Sequence, residues 1–119
     1  KAKKAKQEAD DKALDDPKAL KEIGVNAFKA SDSKKAAAYF TRAIESILRQ
    51  PPETQDKGLH LALLSNRSAC FVLQNKYIEA LNDASSCVDL DPSWAKGYVR
   101  RGVALSNLQR HTTALEAFS

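Results

Sequence analysis

The chain has 119 residues, of which 43% are hydrophobic and 29% are charged, and its net charge is +4. This length favours a single domain, and there is no run of about 18 apolar residues that would cross a membrane. Two cysteines, Cys70 and Cys87, are too few for a disulfide framework. They are expected to be buried free thiols, which indicates a reducing, intracellular setting. The expected location is the cytoplasm.

Residues 1–16 form a charged N-terminal extension that contains almost only charged residues and alanine. Such a segment has helix propensity but little to bury, so it is expected to stay solvated. The alternative is a basic patch for nucleic acid. Acidic residues soon interrupt the lysines, so no nucleic-acid partner is expected.

The first two predicted helices have clear boundaries. Asp16 is suited to an N-cap, and Pro17 to the first helical position. The turn at 31–33 ends the first helix, and Pro51-Pro52 ends the second. Apolar residues recur at helical spacing in both: Leu20, Ile23, Ala27 and Phe28 in the first, and Ala36, Ala37, Phe40, Ala43, Ile44 and Ile47 in the second.

Four further helices are predicted, at about Asp56–Gln74, Tyr77–Leu90, Ser93–Leu108 and from near Thr112 onward. Asp91-Pro92 is expected to stop the second of these, and Ser93 to cap the next. The chain has no alternating apolar–polar segment and no Asn-Gly hairpin signal. The pattern therefore predicts an all-α fold of antiparallel helix pairs.

The helix pairs repeat with a fixed period. Ser68 precedes Gly102 by 34 residues, and Gly24 precedes Ser68 by 44, one period plus ten. The surplus is assigned to an inserted loop at about 49–58. The same 34-residue register relates Tyr77 to His111, Ala80 to Ala114, and Ala84 to Phe118.

The residue types in this register have a packing explanation. Small residues at positions 24, 68 and 102 let the first helix of a pair approach the second closely. Large residues are expected to fill the spaces between pairs: Phe40, Tyr77, Tyr98 and Phe118. One pair cannot bury its own apolar face, so the pairs must stack as a solenoid.

A 34-residue helix pair with this pattern of small and large residues, and with Pro92 at its end, resembles the tetratricopeptide repeat (TPR). The resemblance covers residues 17–119, with repeats at about 17–50, 61–94 and 95–119, the last truncated. It implies an all-α, right-handed TPR solenoid that binds another protein. No catalytic residues, metal or cofactor are implied.

Members of this family normally finish with a seventh, capping helix. The apolar face around Leu115 and Phe118 is therefore expected to be uncovered. Exposed apolar patches promote association, so self-association through this end is expected.

Two segments resemble a particular TPR subgroup: SNRSA at 65–69 and WAKGYVRRG at 94–102. The subgroup consists of co-chaperones that hold the C-terminus of a seventy- or ninety-kilodalton heat-shock chaperone in a two-carboxylate clamp. The resemblance implies that the clamp residues are Lys21, Asn66, Lys96 and Arg100. The sequence departs from the subgroup at Val25, where an Asn is usual.

The chemistry of these residues fits an acidic C-terminal peptide. Lys96 and Arg100 are four apart and share a helix face, and a terminal Asp offers two carboxylates. Arg donates forked hydrogen bonds, and Lys supplies a movable charge. Ala69 and Val103 are expected to form an apolar patch for a Val or Ile of the ligand. By contrast, Arg67 and Arg101 are expected to be merely solvated.

Two alternatives remain open. One is a TPR scaffold that binds a different internal peptide or helix with a degenerate clamp, which Val25 favours. The other is a fragment of an enzyme, such as a peptidyl-prolyl isomerase or phosphatase, whose catalytic part lies outside these residues. His60 and His111 have no metal-site or catalytic spacing, and His111 is expected to pack.

Overall fold

The computed structural model describes residues 16–118, with side chains as far as residue 112. These residues form α1 (Pro17–Lys29), α2 (Ser33–Leu48), a short 3-10 helix (Pro52–Thr54), α3 (Lys57–Leu73), α4 (Tyr77–Leu90) and α5 (Ala95–Phe118), and no strand. The predicted all-α class is confirmed. The predicted extension lies outside the described residues, except for Asp16. None of the described helices has the length and hydropathy needed to cross a bilayer.

Three helices begin at aspartate caps. Side-chain oxygens of Asp16, Asp32 and Asp56 accept hydrogen bonds from the backbone N–H groups of Lys18, Lys35 and Leu59 at 3.0–3.1 Å. These bonds satisfy donors that a helix start otherwise leaves free. The predicted start at Pro17 is confirmed.

The turns inside the first two helix pairs share one geometry. Ser31 and Asn75 adopt left-handed backbone conformations, with φ of 64° and 59°. In each turn, a backbone N–H donates a hydrogen bond to the carbonyl oxygen five residues earlier. Asp32 donates to Ala27 at 2.9 Å, and Lys76 donates to Phe71 at 2.8 Å. This is the Schellman pattern of helix ends, and it lets each second helix fold back on the first.

Close contact at the small residues joins the helices of the first two pairs. An added Cβ on Gly24 would lie 2.6 Å from the buried ring of Phe40. In the second pair, the buried Ser68 hydroxyl donates to the Ala80 carbonyl at 2.9 Å. The small-residue prediction is confirmed for these two pairs. Every apolar residue predicted for α2 is buried: Ala36, Ala37, Phe40, Ala43, Ile44 and Ile47.

The predicted break between a fifth and a sixth helix is wrong. The chain instead continues as one helix, α5, from Ala95 to Phe118. Gln109 follows Asn75 by one 34-residue period and so stands where the other turns adopt positive φ. Glutamine tolerates that conformation less well than asparagine, and residues 103–119 contain no Gly or Pro.

The continuous α5 leaves one of its faces uncovered. Tyr98 is 43% exposed and Leu105 is 49% exposed, whereas Leu20 and Leu64, which match Tyr98 in register, are buried. Gly102 has open space around it. The prediction that Tyr98 fills a space between pairs is therefore wrong. The side chains of Leu115 and Phe118 lie outside the described part of the chain.

Ser93 does not cap α5, contrary to prediction. Its backbone N–H and its hydroxyl both donate to the Asp91 carboxylate, at 3.0 and 2.6 Å. These bonds lower the pKa of Asp91. The predicted stop before Pro92 is confirmed, because α4 ends at Leu90.

The structure makes opposite predictions for two glycines. Gly24→Ala should destabilise the fold by about 1–3 kcal/mol, because its methyl group would collide with the buried Phe40 ring. Gly102→Ala should stabilise it by about 0.5–1 kcal/mol, because the added methyl meets no neighbour and favours helix. Urea denaturation followed by circular dichroism measures both changes. Equal effects at the two positions would contradict the packing described.

Both cysteines are buried free thiols, as predicted. Burial raises the pKa of Cys70 and of Cys87 to about 11. Their thiols therefore stay protonated at neutral pH, which makes them poor nucleophiles.

Candidate functional site

Four of the predicted site residues meet around one cavity. This inner cavity, of about 300 Å³, lies among α1, α2, α3 and α5 and is lined by Val25, Phe28, Lys29, Phe40, Asn66, Ala69 and Arg100. The structure thus brings together Val25, Asn66, Ala69 and Arg100, which come from three different helices. The lining combines apolar side chains with the Asn66 amide and the cationic groups of Lys29 and Arg100.

Lys21 lies in a second cavity next to the first. This adjoining cavity, of about 390 Å³, is lined by Lys18, Lys21, Glu22, Val25 and Leu59. Val25 lines both cavities and therefore marks where they meet. Its neighbour Asn26 is exposed and lines neither, so its amide does not replace the Asn usual at position 25.

The two remaining predicted residues stand on α5 outside both cavities. Lys96 is exposed, and Val103 is 40% exposed. They lie one turn before and about one turn after Arg100, so the three side chains share a helix face. That face therefore carries a cation on one side of Arg100 and an apolar residue on the other.

Arg100 is held by one of its nitrogens and is free at the others. Its Nε donates to the Ser65 hydroxyl oxygen at 2.9 Å, and the guanidinium is half-buried. Among the described residues, its two terminal nitrogens have no partner. The Asn66 amide beside it also has none there. Unused donors at the wall of a cavity suit a carboxylate, which accepts several hydrogen bonds.

The charges of the site are not neutralised within the described chain. The described ion pairs join Lys57 to Asp91 and Arg67 to Asp83, and neither includes a predicted site residue. Lys21, Lys96 and Arg100 have no carboxylate within 4.0 Å in the described part of the chain. Glu22 shares the adjoining cavity with Lys21 without forming an ion pair. The site therefore favours an anionic ligand.

Arg67 is not a solvated surface residue, contrary to prediction. Its guanidinium donates twice to the Asp83 carboxylate, at 2.7 and 2.8 Å, and once to the Thr41 hydroxyl at 3.1 Å. These bonds tie α2, α3 and α4 together. Asp83 is 16 residues from Arg67, and no helical spacing rule relates positions that far apart. The ion pair was therefore not predictable from the spacing of the residues.

The Arg67–Asp83 pair also lines an outer cleft of about 500 Å³, together with Ile44, Leu48, His60, Leu64, Ser86, Asp89 and Leu90. Burial, and secondarily the charge of Arg67, lowers the pKa of His60.

His111 is exposed, and its ring meets the Tyr77 ring edge-on, with 6.0 Å between the ring centroids. No three metal-binding side chains come together in the described part of the chain.

Sequence reasoning missed several residues at the inner cavity. Phe28 and Lys29 lie one turn beyond Val25 on α1, so their spacing from Val25 was the available signal. Phe40 was assigned to packing alone, although its ring also lines the cavity. Ser65 carried no signal, because no spacing rule links it to Arg100.

The chain is similar to parts of known heat-shock organizing proteins. It is 41% identical over 99 residues to the heat shock protein sti1 homolog of Schizosaccharomyces pombe, a match covering 83% of this chain and 15% of that protein. It is 30% identical over 120 residues to the Hsp70-Hsp90 organizing protein of Triticum aestivum, covering 98% and 19% respectively. The chain thus spans less than a fifth of either relative. No family model matches it.

A solved structure shares the fold. The Arabidopsis OM64 TPR domain superposes with a TM-score of 0.67 and 25% sequence identity, covering 83% of this chain and 74% of that one. This likeness indicates the same repeat class as the 34-residue register and the stacked helix pairs do. The chain is a tetratricopeptide-repeat domain, and it resembles segments of the Sti1-type organizing proteins.

Proposed function

We propose that this domain is a co-chaperone-type adaptor whose groove binds the acidic C-terminal peptide of a seventy- or ninety-kilodalton heat-shock chaperone. The main observation in support is that the two terminal nitrogens of Arg100 and the side-chain amide of Asn66 have no partner among the described residues, although both side chains line the inner cavity. The organizing protein from wheat, which the chain resembles, is named for the two chaperone classes. The proposed role is non-enzymatic and cytoplasmic.

Each site residue has a role in this proposal. Arg100 and Lys96 hold the side-chain carboxylate of a terminal Asp, while Asn66 and Lys21 hold the terminal carboxylate. Val25, Ala69 and Val103 contact an apolar side chain that precedes the Asp. The forked donors of Arg100 suit the planar carboxylate.

Calorimetric titration with a peptide ending in Asp tests this role. Binding should be measurable at low salt and should weaken as salt is added, because ions screen the attraction between the site lysines and the peptide carboxylates. Absence of binding at low salt would rule the proposal out.

A second candidate is a TPR scaffold that binds an internal peptide or helix. It is favoured by the apolar part of the lining of the inner cavity, which includes Val25, Phe28 and Phe40. This ligand needs no free carboxylate. Its binding would survive Arg100→Ala and would be lost when Val25 or Phe28 is made polar.

Val25→Asn should tighten binding of the Asp-terminated peptide about tenfold. The new amide adds a hydrogen bond to a carboxylate, worth roughly 1.5–3 kcal/mol. Val25→Ala serves as the control, because it removes apolar surface without adding a donor and should give no gain. Calorimetry measures all three proteins, and unchanged or weaker binding by Val25→Asn would contradict the assigned place of position 25.

We also propose that the 119-residue chain self-associates through the open face of α5. Tyr98 and Leu105 are exposed there, on either side of Gly102. Light scattering should show a mass above that of the monomer, rising with concentration, and Leu105→Glu should lower it. A monomer at every concentration would contradict this proposal.

A further inference from the structure

Ser65 is a fully buried serine on α3, beside Asn66. Burying a hydroxyl costs free energy unless it finds a hydrogen-bond partner. Within the described structure, that partner is the Nε of Arg100, which donates to the Ser65 oxygen at 2.9 Å. The bond joins α3 to α5 next to the inner cavity, which Arg100 and Asn66, the neighbour of Ser65, both line.

This bond restricts the most important cation of the site. A guanidinium is planar and carries five N–H donors. When Nε is held, the plane of the group is fixed and the two terminal nitrogens remain available. The terminal nitrogens have no partner among the described residues, and Arg100 lines the inner cavity. An arginine without this anchor would move among several rotamers and would lose more entropy on binding a ligand.

We propose that Ser65 is a positioning residue: it holds Arg100 so that the guanidinium presents its terminal nitrogens to a ligand carboxylate before the ligand arrives. The inference rests on the proposed function, because it assigns the orientation of a group in that same site. Fixing the donor in advance reduces the ordering cost of binding. Ser65 contributes to affinity through Arg100 and does not touch the ligand.

The chain offers a matched control. Ser68 is also buried, lies one turn further along α3, and donates to the Ala80 carbonyl at 2.9 Å, away from Arg100. Ser65→Ala and Ser68→Ala each remove one buried hydroxyl at nearly constant volume. A purely structural role for Ser65 predicts that both variants change only stability.

The experiment is a double-mutant cycle measured by calorimetry with the Asp-terminated peptide. Ser65→Ala should weaken binding about tenfold, whereas Ser68→Ala should leave affinity unchanged. In an Arg100→Lys background, there is no guanidinium for Ser65 to orient. Ser65→Ala should therefore cause no further loss of peptide affinity there. Equal affinities of the wild type and Ser65→Ala, or the same loss in both backgrounds, would overturn the inference.

A second measurement needs no ligand. In nitrogen-15 NMR spectra of the free protein, the Nε–H of Arg100 should exchange slowly with water, and Ser65→Ala should make that exchange fast. Slow exchange that survives in Ser65→Ala would overturn the positioning role. If the wild type shows the anchored Nε–H but does not bind the peptide, the proposed function fails, and the positioning role fails with it. If the peptide binds but the anchor is absent, the positioning role alone fails.

Discussion

Arg100→Ala should weaken binding of an Asp-terminated peptide about a hundredfold or more. Arg100 is the half-buried cation of the inner cavity, and its two terminal nitrogens are free to donate. Each hydrogen bond to a charged group is worth roughly 1.5–3 kcal/mol, so losing two costs about two orders of magnitude in affinity. Calorimetry at fixed low salt measures the change.

The matched control for this variant is Arg101→Ala. Arg101 is the next residue on α5, and its guanidinium lies over the Tyr98 ring, 5.1 Å from the centroid. Arg101→Ala lowers the net charge by the same amount as Arg100→Ala but leaves the inner cavity intact. The affinity for the peptide should therefore fall only slightly. Equal losses for Arg100→Ala and Arg101→Ala would show that general charge, and not the cavity, governs binding.

Asp83→Ala should destabilise the fold by about 3–5 kcal/mol. The variant leaves the Arg67 guanidinium largely buried without its carboxylate, and breaking a buried ion pair in this way carries a cost of that size. Because small domains are stable by only about 5–15 kcal/mol, the loss threatens folding itself. Urea denaturation at 25 °C measures it.

Two companion variants separate the ion pair from general effects. Asp89→Ala removes an exposed carboxylate from the same helix and should change stability by less than about 0.5 kcal/mol. Replacing Arg67 and Asp83 together with apolar residues of similar size should restore much of the loss, because no buried charge is then left unpaired. A loss below about 1 kcal/mol for Asp83→Ala would contradict the described bonding.

The sequence predicted those features that depend on local spacing. Helical periodicity, the aspartate and proline signals at helix ends, and the 34-residue register led to the first two helix pairs and to the TPR class. Gly24 against Phe40 and Ser68 against Ala80 show that the small positions act as predicted.

The errors arise where tertiary context decides the outcome. The break near Gln109 required a turn conformation that no local signal enforces, so α5 continues and Tyr98 stays exposed. Arg67 has the composition of a surface residue, but Asp83 and Thr41 are brought to it by the fold. The Ser65 anchor likewise depends on the way α3 meets α5.

The candidate site was predictable in part for the same reason. A resemblance in residue type located Asn66 and Arg100, and the fold places both at one cavity together with Val25 and Ala69. Lys96 and Val103 flank that cavity without lining it, which spacing along α5 alone does not reveal.

The most direct test of the carboxylate-binding groove compares two peptides of identical sequence that end in Asp, one with a free C-terminal carboxylate and one amidated. Both are titrated into the domain by calorimetry at low salt. We expect the free acid to bind and amidation to weaken binding at least tenfold, because Asn66 and Lys21 lose a charged partner. Equal affinity for the two peptides would contradict the carboxylate-binding groove and would favour the scaffold that binds internal segments.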